Sequence, residues 1–281
     1  MIYQRIVSRA TAKTSLYLAL LTPVLAVGML GVHFLISGMY IELEQLHYYI
    51  ITYMLISASL MCVLGFIIER RKIHKASATE AEVLENGYKD EFFSYCKRYV
   101  DRIKYMRKKV KASACLAIYY ADAKRFEEAI ELMNQIELVH LKDKERCIYY
   151  ITMSYILFVS GDEDAAAAMF ASNPAVMQKY ASKRKGKTHL GCAIAFLTQL
   201  MSFEEEKEIA AEKLITVRKM TKKAEIAAAC SELACIASLD EGEISRAKEL
   251  CADAYDHCEL YGASQRIRKL MKIVEDCYGV E

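Results

Sequence analysis

Two long stretches without a charged side chain lie in the first quarter of the sequence. Residues 14–41 and 45–68 hold no Asp, Glu, Lys or Arg, and at 1.5 Å per residue each is long enough to cross a hydrocarbon core of ~30 Å as a helix. Helix is the spanning form because backbone amides in lipid have to be paired within the segment. The pattern therefore predicts a two-helix transmembrane hairpin over residues 14–68, with a kink or helix start near Pro23, which lacks an amide donor. Tyr40, His47, Tyr48 and Tyr49 fall where an aromatic belt would lie. Runs of this length exceed the ~10–14 residues usual for buried core helices, and a second run directly after the first is unlike a cleaved leader.

Beyond Lys75 the pattern changes. Apolar residues recur at i, i+3, i+4 and i+7, with Ala, Glu, Lys, Leu and Met between them, which marks amphipathic helices. The first is expected over residues 89–111, with Phe92, Cys96, Tyr99, Ile103, Met106 and Val110 on one stripe. Its flanks carry Lys97, Arg98, Lys104 and Lys108, a face that suits either anionic lipid headgroups or solvent. A last helix over residues 264–277 turns Ile267, Leu270, Met271, Ile273 and Val274 to one side and Arg266, Arg268, Lys269 and Lys272 away, as a terminal cap of a helical array does.

Between these helices the sequence repeats itself. Leu116, Ala117, Tyr120, Phe126, Ala129, Met133 and Ile136 form one unit; residues 153–157, the turn at Gly161 and residues 165–170 form a second about 37 residues later. Residues 189–193 and 203–214 make a stretched third, and residues 230–237, Gly242 and residues 244–251 a fourth. This pattern of a large residue, a small one and Tyr before a turn, then an aromatic and Ala after it, resembles the tetratricopeptide repeat. Trp is absent. The resemblance implies stacked helix pairs over residues 112–281, with small residues Ala117, Ala129, Ser154, Ala166, Gly191, Ala193, Cys235 and Ala247 where helices cross. It also implies a concave groove lined by the first helix of each pair. Carried over residue by residue, that groove comprises Lys111, Ala114, Ile118 and Asp122, then Ile151, Tyr155 and Phe158, then Thr188, Cys192 and Phe196, then Glu232, Ile236 and Asp240. It would be largely apolar with aromatic centres and suit an amphipathic helix or extended apolar peptide, unless the chain itself fills it. The Asn and Lys clamp with which some such arrays hold a terminal carboxylate is not expected, because Asn86, Asn134 and Asn173 all lie off the first helices.

Charge sets the expected topology. The link between the two apolar runs carries Glu42 and Glu44 but no cation, whereas Arg5, Arg9 and Lys13 precede the runs and Arg70, Arg71, Lys72 and Lys75 follow. Positive-inside bias then places both termini in the cytoplasm, residues 1–13 included. Residues 69–111 read as a juxtamembrane linker and basic helix. Nine of the ten cysteines lie outside the apolar runs, without a Cys-x-x-Cys, which fits reduced thiols rather than a disulfide framework or zinc ribbon. With a net charge of +2 there is no reason to expect nucleic acid.

Catalytic patterns are missing. No phosphate-binding glycine loop, His-Glu-x-x-His or Gly-x-Ser-x-Gly occurs, and the six His are scattered. No cofactor or metal is expected. The chain thus reads as all-α, a transmembrane hairpin followed by a tetratricopeptide-like solenoid, acting as a non-enzymatic membrane scaffold that binds a protein partner. The alternative is a subunit of a larger membrane complex whose spanning helices are themselves functional.

Overall fold

A computed structural model describes residues 21–33, 35, 43–184 and 186–278. Arg5, Arg9, Lys13, Tyr40 and Glu42 lie outside the described residues. Among those described, all regular structure is helical and no strand occurs. The chain divides into two compact units, Met1–Ala81 and Glu82–Glu281.

In the first unit, helix α1 (Leu21–His33) packs on α2 (Leu43–Asn86). The buried Ser57 hydroxyl donates to the Met29 thioether at 3.6 Å, and the His33 ring lies 5.3 and 5.8 Å from those of Tyr49 and Tyr53. The segment Tyr48–Ile68 of α2 is 21 residues long with a mean hydropathy of 2.2, long and apolar enough to cross a membrane. The described part of α1 is shorter than a span. Val24, Val27, Leu55 and Phe66 are exposed, so the described residues leave this apolar surface uncovered. Helix α2 continues to Asn86, so the stretch after the second apolar run is helical; Arg70 and Arg71 are exposed there and Lys72 lies on the same helix.

The second unit begins within the last turns of α2 and continues with α3 (Asp90–Asp101) and α4 (Met106–Asp122). The single helix expected over residues 89–111 is thus two. Arg102 ends α3, and Tyr105 is extended before α4 begins. The stripe changes register at the break: Phe92, Phe93, Cys96 and Val100 are buried on α3, whereas Tyr99 and Ile103 are only half-buried.

Next come α5 (Phe126–Asn134), α6 (Asp143–Val159), α7 (Glu163–Ala171), α8 (Pro174–Ser182), α9 (His189–Met201), α10 (Lys207–Met220), α11 (Ala224–Asp240), α12 (Ile244–His257) and α13 (Tyr261–Tyr278). They pack as α4 on α5 and α6, α6 on α7, α8 and α9, α9 on α10 and α11, α11 on α12, and α12 on α13, while α13 also reaches back to α4. Three of the turns share one geometry. A left-handed residue follows the first helix at Lys124 (φ 60°), Gly161 (φ 92°) and Gly242 (φ 77°). The next amide then reaches back to the helix in each case, Arg125 to Tyr120 at 2.8 Å, Asp162 to Leu157 at 3.0 Å and Glu243 to Ser238 at 2.8 Å. This is the Schellman arrangement, which satisfies the orphan carbonyls of a helix end. Five residues on, Ala129, Ala166 and Ala247 are wholly buried; seven residues back, so are Ala117, Ser154 and Cys235. Small side chains at those two places let the paired helices approach closely. Gly191 is buried as well, whereas Ala193 is half-buried.

The third pair, α9 and α10, lacks that turn, and α8 precedes it as an additional helix. The residues responsible are Asn173, whose side chain accepts from the Val176 amide at 3.4 Å, and Pro174 in the first turn, a combination that starts a helix. On α13, Ile267 and Val274 are buried but Ile273 is exposed. It lies about 100° around the helix from Val274 and so misses the buried face.

All ten cysteines are free thiols. Burial pushes Cys147 and Cys230 up to about 12, which keeps them protonated and inert at neutral pH. Cys251 and Cys258, seven apart, do not share a helix face, because α12 ends at His257 and Cys258 is extended.

A polar clamp ties three helices together. Arg218 on α10 donates from Nε and Nη2 to the two carboxylate oxygens of Asp253 on α12, each at 2.6 Å, and the Ser231 hydroxyl on α11 donates to Asp253 Oδ2 at 2.5 Å. Arg218 foremost holds the Asp253 carboxyl below the usual range. A folded-state value below the unfolded one stabilises fully above about pH 4 and is lost as pH falls through the folded value. Asp253→Asn is therefore expected to cost about 1–2 kcal/mol at neutral pH and to flatten the acid limb of the stability curve, read by urea unfolding across that range.

Candidate functional site

The helices that come first in each pair, α4, α6, α9 and α11, bring one set of side chains to a common cavity of about 950 Å³. Asp122 enters from the last turn of α4, Tyr155 from α6, Phe196 from α9, and Glu232 and Ile236 from α11. Of the residues assigned to a groove from the sequence, these five are brought together. Ile118, Ile151 and Phe158 are half-buried and are not among the residues lining it; Ile151 packs instead with Cys147, Val176 and Leu190. Lys111 is drawn into an ion pair with the buried Glu145 on α6 at 3.2 Å.

Helix α13 supplies the wall that sequence reasoning missed. The Asp122 side chain is 5% exposed and accepts from the Gly262 amide at 2.7 Å and the Ala263 amide at 2.9 Å, two of the first-turn donors of α13. A carboxylate there satisfies orphan N–H groups and meets the positive end of the helix dipole. The Tyr88 hydroxyl donates to the same carboxylate at 2.7 Å, and burial together with that charge pushes Tyr88 far above its ordinary range. One turn on, Arg266 donates from Nε and Nη2 to the Glu232 carboxylate at 2.9 and 3.3 Å and stands 3.8 Å from Asp122. Asp122 and Glu232 of the expected groove are thus engaged by α13 of the same chain, whereas its third acid, Asp240, pairs with Lys207 at 2.9 Å.

The rest of the lining is mixed. Burial pushes the half-buried Tyr155 hydroxyl up to about 12, so it is a hydrogen-bonding group and not a base at neutral pH. Phe93 on the cavity wall stacks on Tyr120 at 4.6 Å, and the Arg125 guanidinium lies over both rings while pairing with Asp90 and Glu128, each at 2.7 Å. The cavity offers apolar walls from Phe196, Leu233 and Ile236 beside a polar rim of Arg266, Lys269 and Gln265. Among the described residues no three His, Cys, Asp or Glu converge as metal ligands would.

The basic residues singled out earlier fall into two groups. Arg70 and Arg71 sit on α2, with Lys72 on the same helix; Lys97 and Arg98 are exposed on α3, Lys104 in the following turn and Lys108 on α4. Comparison with protein-family models, with curated proteins and with solved structures finds no match to this chain.

Proposed function

We propose that the chain is a membrane-anchored, non-enzymatic scaffold whose helix pairs form a tetratricopeptide-like array that binds a protein partner through its inner groove. In this reading α1 and α2 form a two-span hairpin with both termini in the cytoplasm. The observation that carries it is the convergence of Asp122, Tyr155, Phe196, Glu232 and Ile236, from four successive first helices, on one cavity. The repeated turns at Lys124, Gly161 and Gly242 support the array, and the apolar Tyr48–Ile68 segment supports the anchor. Anchoring raises the concentration of the groove beside membrane partners without adding a contact. The ligand suited to such walls is an apolar helix or extended segment with a polar group for the rim.

Tyr155→Ala opens the apolar wall and removes its hydroxyl. Affinity capture from detergent-solubilised membranes, compared by mass spectrometry with the parent chain, is expected to lose the groove-dependent partner while the chain stays folded. An unchanged partner set sinks the groove assignment.

A second reading, a subunit of a larger membrane complex, is favoured by one feature: the backbone at Gly28 and Gly31 faces open space. Small residues of this kind admit close helix packing in lipid. Replacing the two apolar segments with an unrelated hairpin separates the readings. A scaffold keeps its partner after the swap, and a complex subunit loses its assembly.

A further inference from the structure

The break between α3 and α4 gathers charge that a continuous helix would have spread along its length. Residues 97–109 hold seven basic side chains against the single acid Asp101, a net +6 in a chain whose total is +2, so the remainder is net negative. Lys97, Arg98, Arg102, Lys104, Arg107 and Lys108 are exposed and Lys109 is half-buried. Among the described residues none of the seven makes an ion pair, whereas Arg125, Arg218, Arg246 and Arg266 elsewhere in this unit each hold a carboxylate. At the turn itself Tyr105 is 70% exposed, with the Lys108 ammonium 5.8 Å from its ring centre.

A solvated helix face is normally mixed in sign, and an unpaired cluster of one sign repels itself. Such a cluster is stabilised by a polyanionic surface, whose attraction acts within about a Debye length, ~10 Å at 0.1 M salt. An amphipathic aromatic at the tip suits the headgroup layer, where Tyr rings collect. Nucleic acid shares the charge, but a chain with a segment able to cross a bilayer has a lipid surface at hand.

We propose that the α3–α4 corner, residues 97–109, is a docking surface for anionic phospholipid headgroups, with Tyr105 entering the interfacial layer. The proposal rests on the reading of Tyr48–Ile68 as a membrane anchor. Because the chain has no Trp, Tyr105→Trp supplies a single indole at the tip. The full chain would be reconstituted into vesicles of phosphatidylcholine with brominated acyl chains, with and without phosphatidylserine. Quenching of the indole is expected to be several-fold greater with phosphatidylserine. It should fall to the phosphatidylcholine level at about 0.5 M salt and in a Lys104→Glu, Arg107→Glu, Lys108→Glu triple variant. Reversing Lys183, Arg184 and Lys187, another basic turn, is the control and should leave quenching unchanged. Equal quenching with and without phosphatidylserine, or equal loss from the two triple variants, overturns the proposal. So does an indole that responds to an added RNA oligonucleotide but not to anionic vesicles. Alkaline extraction of the same vesicles reads the anchor separately: a chain that washes off refutes the anchor, whereas a chain that stays but shows no quenching refutes the corner alone.

Discussion

Replacing Asp122 with Ala is expected to release the first turns of α13 and to cost about 3–5 kcal/mol, among the largest effects of any single substitution in this chain. The carboxylate is nearly inaccessible and accepts three hydrogen bonds, from the Gly262 and Ala263 amides and from the Tyr88 hydroxyl. Truncation leaves those three donors without their acceptor, and Arg266 loses one of the two acids near it. Removing one partner of a buried polar network is costlier than its net worth, because the others stay desolvated. Tyr88→Phe removes one donor and should cost only about 1–2 kcal/mol. Urea unfolding measures the sum, and amide hydrogen exchange locates it. Exchange should accelerate across the first half of α13 while the amides of α6 and α11 keep their protection. If Asp122→Ala left α13 protected, the carboxylate would not be what holds it.

Gly262→Ala attacks the same junction from the other side. A Cβ there would stand 2.4 Å from the backbone oxygen of Asp122 and 2.8 Å from its Oδ1. The side-chain atom can turn away, but the backbone oxygen ends α4 and cannot. Helix α13 must therefore shift, stretching the two amide bonds to Asp122, at an expected cost of about 3 kcal/mol from overpacking and weakened hydrogen bonds. Because both substitutions undo one contact, their effects should fall well short of additive in the double variant, read by the same unfolding titration. Full additivity would place the Gly262 effect elsewhere.

The junction and the helices around it differ in how much local sequence pattern they carry. The helices were legible from their 3.6-residue period, and the left-handed turns at Gly161 and Gly242 from glycine at a helix end. Lys124 occupies the equivalent turn with no glycine to signal it. The break at residues 102–105 was hidden for a related reason. No Gly or Pro marks it, and apolar residues continue at helical spacing through it, so only the tertiary burial of Val100 in place of Tyr99 reveals the change of register. Asp122, Tyr155, Phe196, Glu232 and Ile236 line one cavity, whereas Ile118, Ile151 and Phe158, assigned to the same groove from the sequence, do not. The engagement of Asp122 by α13 joins residues 140 apart and leaves no periodic trace. Gly262, beside Tyr261 in an otherwise strong helix, was the one local signal. A glycine in the first turn of a helix with no turn to make points to a close backbone approach.

The same contact bears on how a groove could be used. Arg266 already holds Glu232, and α13 already holds Asp122, so a partner reaching these acids competes with the chain's own last helix. Apolar contacts at Tyr155, Phe196 and Ile236 need no such exchange. For the partner proposed above, affinity is therefore expected to rest on that side of the cavity.

Docking of a protein partner in this cavity is read most directly by site-specific photo-crosslinking in native membranes. A photoreactive residue in place of Ile236, on the cavity wall, is compared with one in place of Lys248, exposed on α12. A discrete protein adduct is expected from position 236, absent from position 248 and abolished by Tyr155→Ala. No adduct from position 236, or the same adduct from both positions, would rule out docking in the cavity.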